Sequence, residues 1–390
     1  MSDVLVASAC RTPIGAFRGA LAPMSAVALG AASLRGIIDA SGIDPSRIDE
    51  CYMGCVLTAG LGMAPARQAA RMAGIPDSVA CTTINKVCGS GMKAVMIACD
   101  QIRAGSADIV AAGGMESMSR APHLLTGARD GRAIGDQQAL DHMLTDGLTD
   151  PDEGRPMGWY ADICARRYGI DRERHDAWAA RSLRRAREAV DDGIFGEEIV
   201  PVYPYGRDAS SVDTDEQPGK ARPEKIPRLA PAFSPGGVVT AAGSAGIADG
   251  AAAVLLMSAR TVERFEPDPL ACVAGYAGAA RAPEEFTTAP QVAIRRLLDH
   301  LGWDIGDVDL FEINEAFAPV VIAAITDLGL DEARVNVRGG ACALGHPIGA
   351  TGARLIVTLI HALRASGLSR GIACPCIGGG EATALAVECR

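Results

Sequence analysis

An α/β fold made of two copies of one unit is the class that this 390-residue sequence predicts, and three observations predict it. Residues 28–49 and 288–309 align at a constant offset, which marks an internal repeat. The elements that follow come in the same order in both halves, so each half reads as a sheet covered by helices. The stretch 119–248 has no counterpart and reads as an insertion into the first copy.

The elements follow in order. The apolar run from Val4 predicts a first strand. In the repeat, Leu34 and Arg35 meet Ile294 and Arg295, and Ile37-Ile38-Asp39 meets Leu297-Leu298-Asp299. Gly42-Ile43-Asp44 then meets Gly302-Trp303-Asp304. Each copy reads as an amphipathic helix, a glycine stop and a strand, Cys51–Val56 or Leu310–Ile313. A Gly-rich turn next enters an apolar helix, Cys88–Arg103 or Gly345–Arg364, followed by a strand ending in glycines, Ile109–Gly114 or Ile372–Gly380. The insertion predicts one helix, Arg172–Asp191, and an irregular segment with Pro at 201, 204, 218, 223, 227, 231 and 235, through which no helix can run. It reads as a cap over the first half. The expected domains are 1–118 with 249–268, the inserted loop domain 119–248, and the second half 269–390.

Composition bounds the function. With 48% apolar and 22% charged residues the chain is globular rather than disordered. A net charge of −10 argues against a nucleic-acid or anionic-membrane binder, so an anionic ligand needs a local basic patch. No apolar run reads as a membrane span, and the start lacks the basic region of a signal peptide. Twelve cysteines without framework spacing predict free thiols in a reducing, cytoplasmic setting. Cys51/Cys55 and Cys374/Cys376 lie close in sequence, but nothing completes a metal site around them.

Four segments carry candidate chemistry. Cys88 stands in Asn85-Lys-Val-Cys-Gly-Ser-Gly-Met-Lys-Ala94, at a strand-to-helix turn where helix amides and dipole would stabilise a thiolate. The same run satisfies the dinucleotide pattern GxGxxA, but Asp108 supplies its acidic partner poorly. His346 stands before Pro347, which suits a first helical position, at the mouth of the matching helix in the other half. Cys376 precedes Gly378-Gly379-Gly380, whose amides can face an oxyanion. Asn314 ends a strand in Asn314-Glu-Ala-Phe-Ala318, where the plainer role is a helix cap. Each alone has a bland structural reading. Together they supply two thiols, an imidazole and an amide at element ends. A Cys–His pair supports acyl transfer through a thioester, and a second Cys can move a proton next to a carbonyl.

With these segments in order, and with Arg11-Thr-Pro-Ile-Gly-Ala-Phe17, Gly113-Gly-Met-Glu-Ser-Met-Ser119 and Asp249-Gly-Ala-Ala-Ala253, the sequence resembles the thiolase superfamily from about Val4 to Val387, and within it the biosynthetic branch. The resemblance implies a duplicated five-layered α-β-α-β-α core with an inserted loop domain. It implies reversible Claisen condensation or thiolysis of acyl-CoA, two acetyl-CoA giving acetoacetyl-CoA, with coenzyme A as substrate and product rather than a resident cofactor. By the same resemblance Cys88 is the nucleophile and His346 its base. Cys376 is the acid/base at the α-carbon. Asn314 holds a water at one oxyanion hole, and the amides of Cys88 and Gly378 form the other. CoA would lie near Leu148, Met157, Phe233, Ala245 and Phe317, with Lys220 and Arg222 as the candidate basic contacts. The segment from Ala121 to Gly131, with Leu144–Leu148, is similar to the loop by which that branch forms homotetramers and shapes a small-acyl pocket.

The sequence departs from the family at Pro156, where a histidine is usual, at Tyr160 and Asp162, where threonine and glutamate are usual, at Ala245, where a serine is usual, and at Ala382, where a glycine is usual. A degradative 3-oxoacyl-CoA thiolase of wider chain-length range would use the same four residues, and the loop stands against it. A decarboxylating ketosynthase would not need Cys376. A CoA- or acyl-binding protein on this scaffold would not need both cysteines, the histidine and the asparagine.

Overall fold

The computed structural model describes residues 3–389 except 132, 133, 207, 209, 266 and 267. The first half contributes β1 (Val4–Arg11), α1 (Ala26–Ser41), β2 (Glu50–Gly54), α2 (Pro65–Ala73), β3 (Ala80–Ile84), α3 (Ser90–Arg103) and β4 (Ile109–Ser117). The insertion carries α4 (Met157–Arg167) and α5 (Arg172–Asp191). The chain returns in β5 (Ala248–Ser258) and continues as β6 (Ala271–Ala280), α6 (Ala289–Leu301), β7 (Leu310–Ile313) and α7 (Ala318–Leu328). It ends with α8 (Ile348–Ser366), β8 (Arg370–Cys374), β9 (Cys376–Ile377) and β10 (Glu381–Glu388).

The repeat is physical. Ser25 caps α1 by accepting from the Ala28 amide at 3.1 Å, and Gly42 and Gly302 end α1 and α6 in the same left-handed conformation, φ 65° and 66°. In both halves the parallel strands pair around the helix that follows, β2 with β3 and β4, and β7 with β8. The structure differs from two separate sheets. All these strands form one mixed sheet of order β7–β8–β10–β6–β1–β5–β4–β2–β3, with β9 on β10. The halves join where β1 meets β6 at Leu5↔Cys272 and Val6↔Ala271.

Three apolar clusters define the layers. Leu29, Leu34 and Ile37 of α1 and Ala69 of α2 cover one outer face of the first half. Ile294 and Leu297 of α6 and Val321 and Ile325 of α7 cover the outer face of the second. Between them, Met92, Val95 and Cys99 of α3 interlock with Leu355, Ile356 and Leu359 of α8, touching both halves of the sheet. The order is therefore helix, sheet, helix, sheet, helix. Helix α8 is long and apolar enough to cross a bilayer, contrary to the reading of the sequence, but 83% of its apolar window is buried in this middle layer.

The element ends were less legible than the elements. The predicted helix from Cys88 begins at Ser90, and the one from Gly345 begins at Ile348, with Pro347 as its cap rather than its first residue. The predicted strand Ile372–Gly380 breaks at Pro375, which has no amide to donate, and continues as the two-residue β9.

The insertion is not a cap over the first half alone. Its helix α5 docks on the second half, where Arg174 and Arg181 grip Glu332 and Arg185 donates to Val335 O at 2.6 Å. Toward the first half it is tied by a fully buried charge cluster. Arg11 of β1 reaches Glu198 at 2.5 Å and holds Asp215 through two bonds of 2.8 Å. Each charge there offsets the desolvation of another, so deleting one would cost ~3–5 kcal/mol.

The middle layer closes through glycines. A Cβ at Gly352 of α8 would lie 2.6 Å from Met92 N, and one at Gly91 of α3 would lie 2.9 Å from Ala353 N. Both distances are impossible against backbone, so the helices must part if a methyl is added. We expect Gly352→Ala to destabilise the protein by ~1–3 kcal/mol in chemical denaturation. Unchanged stability would show that the helix contact tolerates separation.

Candidate active site

The α3–α8 contact sets the starts of the two helices together, a Cβ at Gly91 falling 3.1 Å from Gly349 O, and Cys88 and His346 each stand two residues before those starts. Cys88 stands two residues before α3 on a tight elbow. Val87 has φ +45°, a left-handed conformation that a β-branched residue adopts at a cost of ~1–3 kcal/mol. Ser90 laces the elbow: its hydroxyl donates to Val87 O at 2.6 Å and accepts from Lys86 N at 2.8 Å. The elbow aims the sulfur into an apolar compartment of Val56, Leu57, Met118, Met143 and Ile348, edged by Leu148 and Ile247. Gly91, whose α-carbon abuts α8, leaves no space for a pyrophosphate, which removes the dinucleotide pattern as a ligand motif.

Burial decides the charge state of the thiol. The sequence predicts a thiolate at a helix N-terminus. In the structure desolvation outweighs the amides and pushes Cys88 up to about 11, although the Gly378 amide and its own amide pull the other way. The expectation of a resting thiolate is therefore corrected: at pH 7 Cys88 is a thiol. His346 is neutral for the same reason, its pKa driven down to about 3 by burial, with the Arg354 charge adding to it.

The tautomer of His346 follows from its neighbour. Thr351 Oγ1 donates to Pro347 O at 2.9 Å, so its one proton is committed. Its contact with His346 Nδ1, at 2.6 Å, must then be as acceptor. Nδ1 carries the imidazole proton and Nε2 presents a lone pair. That Nε2 is buried and makes no hydrogen bond.

The second thiol has a different setting. Cys376 on β9 is 1% exposed and packs with Met157, Ala316 and Phe317. Burial raises its pKa well above the ordinary value, the charge of Cys88 raises it further, and the Ala316 amide opposes both. The two sulfurs therefore sense each other. The β9–β10 hairpin turns through Gly379 and Gly380, both at φ +88°, and delivers the Gly378 amide to Cys88. Lys86 pairs with Glu381, tying the Cys88 elbow to this hairpin.

Asn314 is not a helix cap. Helix α7 begins four residues later, after Phe317. Its amide donates to Cys374 O at 3.0 Å, and its buried side chain leaves both Oδ1 and Nδ2 without partners. The next residue holds it there. The carboxylate of Glu315 accepts from Trp178 Nε1 (3.1 Å), Ser182 Oγ (2.6 Å), Asn336 Nδ2 (2.9 Å) and the Cys342 amide (3.2 Å). A buried carboxylate with four donors is fixed, and Asn314 with it.

The outer residues divide. Met157 lies against Gly378, at 3.6 Å from where its Cβ would be, and Phe233 packs edge-on to Phe317. Ala245 donates its amide to Ala316 O at 3.0 Å, so its methyl stands beside the same wall. Neither side chain that could compensate for Pro156 and Ala245 is free to donate: Tyr160 donates to Glu153 at 3.0 Å, and Ser244 to Thr240 O at 2.8 Å. Asp162 does serve its segment, accepting from Ser234, Val238 and Val239. Ala382 is accommodated, fully buried opposite Ala279.

Of the basic candidates, Lys220 is committed to Glu216, one turn earlier. Arg222 instead lines a cavity of about 280 Å³ with Lys225, Gln217 and Cys342, four residues before His346. Lys225, Thr351 and Glu315 were missed by sequence reasoning. The only signals were their positions within or beside the motifs.

A duplicated five-layered core with two thiols, an imidazole and an amide at its centre defines an acyl-transferring enzyme of the thiolase class. Family models described as the thiolase N-terminal and C-terminal domains match residues 4–260 and 267–389. A probable acetyl-CoA acetyltransferase of Escherichia coli is 46% identical over 390 residues, covering 100% of this chain and 99% of the relative. The acetyl-CoA acetyltransferase of Cupriavidus necator is 46% identical over 391 residues, with full coverage of both. A crystal structure of Acat5 thiolase from Ascaris suum in complex with coenzyme A superposes with a TM-score of 0.95 at 44% identity over both whole chains. This chain belongs to the thiolase family.

Two outcomes follow from the protonation states. Alkylation of Cys88 in the free enzyme by iodoacetamide should keep rising from pH 7 to pH 10, because the thiolate fraction grows toward a pKa of about 11. A plateau at neutral pH would mean a preformed thiolate–imidazolium pair instead. Thr351→Val should lower kcat about tenfold with little change in KM, since one buried hydrogen bond of ~1.5 kcal/mol orients the base. Thr351→Ser should restore it. Equal losses in both variants would assign Thr351 to packing.

Proposed function

We propose that the protein interconverts two acetyl-CoA with acetoacetyl-CoA and free CoA, with Cys88, His346, Cys376 and Asn314 as the catalytic residues. The observation that carries this reading is the pairing of a partly accessible thiol on a strained elbow with a fully buried one near enough to be coupled to it electrostatically. A hydrolase needs the first thiol only. Carbon–carbon bond formation without decarboxylation also needs a group that removes the α-proton.

The chemistry runs in two balanced steps. As acyl-CoA binds, His346 Nε2 takes the Cys88 proton, the sulfur attacks the thioester carbonyl, and the CoA thiolate leaves with that proton. The Cys88 and Gly378 amides face the tetrahedral oxygen, each good donor being worth ~3 kcal/mol. Once acylated, the Cys88 sulfur can carry no charge, so it no longer opposes ionisation of Cys376. Cys376 gives its proton to His346 Nε2, and the resulting thiolate takes an α-proton from the second acetyl-CoA. The enolate oxygen accepts from the His346 Nε2–H so formed and from a water held on Asn314, both side chains having unused hydrogen-bonding capacity. The enolate carbon attacks the acyl group, the Cys88 thiolate leaves and takes the proton back from His346 Nε2, and Cys376 keeps the α-proton as a thiol.

Bulky side chains fill the compartment around Cys88, which supports a short acyl group over long chains. Phe233, Phe317, Met157 and Leu148 would line the pantetheine path, and Arg222 with Lys225 would meet the phosphates. Exposed Leu125, Ile134 and Leu144 on the excursion after β4 support assembly into a homotetramer through that loop. That no disulfide joins any of the twelve cysteines among the described residues supports a reducing, cytoplasmic setting.

The test separates the steps. Cys88→Ser should give no acyl-enzyme by mass spectrometry. Cys376→Ala should still acylate Cys88 but lose ~10²–10⁴-fold in acetoacetyl-CoA formation and thiolysis. Condensation at the parent rate in Cys376→Ala would make that cysteine structural and overturn the assignment.

A further inference from the structure

Glu116, near the end of β4, is fully buried and takes no part in the acyl-transfer steps. Its Oε2 accepts from the Val56 amide at 3.1 Å and from the Gly349 amide at 3.0 Å. Its Oε1 accepts from the Leu57 amide at 3.2 Å, and the Cys55 thiol donates to the same oxygen at 3.8 Å. Gly349 lies in the first turn of α8, where amides have no partner within the helix, and Pro347 at the helix start offers no side-chain acceptor. Val56 and Leu57 lie in the loop after β2. The amides on either side of them pair with backbone, Cys55 with Ile84 O at 2.9 Å and Thr58 with Val56 O at 3.1 Å, and the middle two go to Glu116.

The groups so held are walls of the apolar compartment around Cys88. Val56, Leu57 and Ile348, the neighbour of Gly349, pack there with Met118, two residues after Glu116. The turn Leu144–Leu148 rests on two of these walls: a Cβ at Gly147 would lie 3.0 Å from Ile348 Cδ1 and 3.5 Å from Leu57 Cδ2. On the helix side the carboxyl lies against bare backbone, since a Cβ at Gly349 would come within 2.7 Å of Oε2. One side chain therefore fixes walls that come from both halves of the repeat. A longer acyl group on Cys88 has to displace a wall, and a wall held through its backbone yields less readily than one free to change rotamer.

We propose that Glu116 is a positioning residue for acyl-chain length: by holding Val56, Leu57 and the first turn of α8 it keeps the compartment sized for an acetyl group on Cys88. The proposal rests on the acyl-transfer reading of Cys88, and Glu116 touches no reacting atom in it. Glu116→Gln separates this role from simple space filling. The substitution keeps the size of the side chain but turns one of its two ends into an NH₂ donor. With the remaining oxygen toward Val56 and Gly349, the new nitrogen opposes the Leu57 amide. Turned the other way, it opposes the other two. Either orientation releases at least one wall.

The test follows acylation of Cys88 by acetyl-, butyryl- and hexanoyl-CoA, read as adduct mass on the full-length protein, together with amide hydrogen exchange over residues 55–58. The parent should take the acetyl group fastest, and its Val56 and Leu57 amides should exchange slowly although they lie in a loop. In Glu116→Gln the butyryl-to-acetyl rate ratio should rise about threefold or more, the effect of one lost hydrogen bond, and exchange in the loop should quicken about tenfold. Leu57→Ala should raise the same ratio, and the double variant should gain less than the two single changes combined, because both act on one wall. Acylation slowed equally for all three acyl-CoA, with the ratio unchanged, would overturn the proposal and leave Glu116 as packing. Fast exchange of Val56 and Leu57 in the parent would overturn it without any substitution. Absence of any adduct on Cys88 in the parent would overturn the acyl-transfer reading itself, and this proposal with it.

Discussion

The contact of α3 with α8 is the constraint on which the rest of this structure depends. Each helix comes from a different copy of the repeat, and each begins just after a candidate catalytic residue. Gly91 and Gly352 let the two backbones touch where any side chain would hold them apart. The sheet halves wrap this pair, and the outer helices cover the sheet. Glu116 reinforces the junction: at the end of β4 it accepts from the amides of Val56, Leu57 and Gly349, joining a loop of the first half to the start of α8. Duplication thus does more than repeat a stable unit. It sets two helix mouths side by side, one carrying a thiol and one an imidazole.

The same burial that makes the junction rigid sets its electrostatics. Cys88, Cys376 and His346 all resist the charged form, because no bulk water or opposite charge replaces what folding removes. Glu116, raised to about 7 by burial despite three amide donors, sits in the same regime. A site at rest with neutral partners costs less to fold than one holding a buried ion pair. Charge then appears only during reaction, where prepositioned amides meet it without reorganising. The helix-dipole argument for a resting thiolate fails here because the dipole acts on a group that the fold has already desolvated.

How much of this could be read from the sequence depends on distance along the chain. The repeat was legible as a local pattern recurring in order, and the four candidate residues stood out because each lies at an element end within it; the layer count came from the family resemblance. Helix α5 was predicted with its observed bounds because its caps are local too. Where α5 docks was not legible, because that rests on Arg174, Arg181 and Trp178 meeting Glu332 and Glu315, over 130 residues away. Thr351 could not be recognised, because its role depends on where Pro347 O points. The ion pair of Lys220 was legible, because Glu216 stands four residues earlier on the same helical face.

The departures from the family then take on a graded meaning. Asp162 in place of a glutamate still ties three groups of the 234–239 segment, and Ala382 fills space between strands. Those two changes preserve shape. Pro156 and Ala245 remove polar side chains on the path to the thiols, and the nearest hydroxyls, Tyr160 and Ser244, are bound to Glu153 and Thr240. Affinity on that path must come instead from apolar contact with Met157, Phe233 and Phe317, whose rings pack edge to face. Such a surface grips a thioester chain by shape, and it leaves the polar work to the reacting end, where Asn314 and His346 keep their hydrogen-bonding capacity unspent.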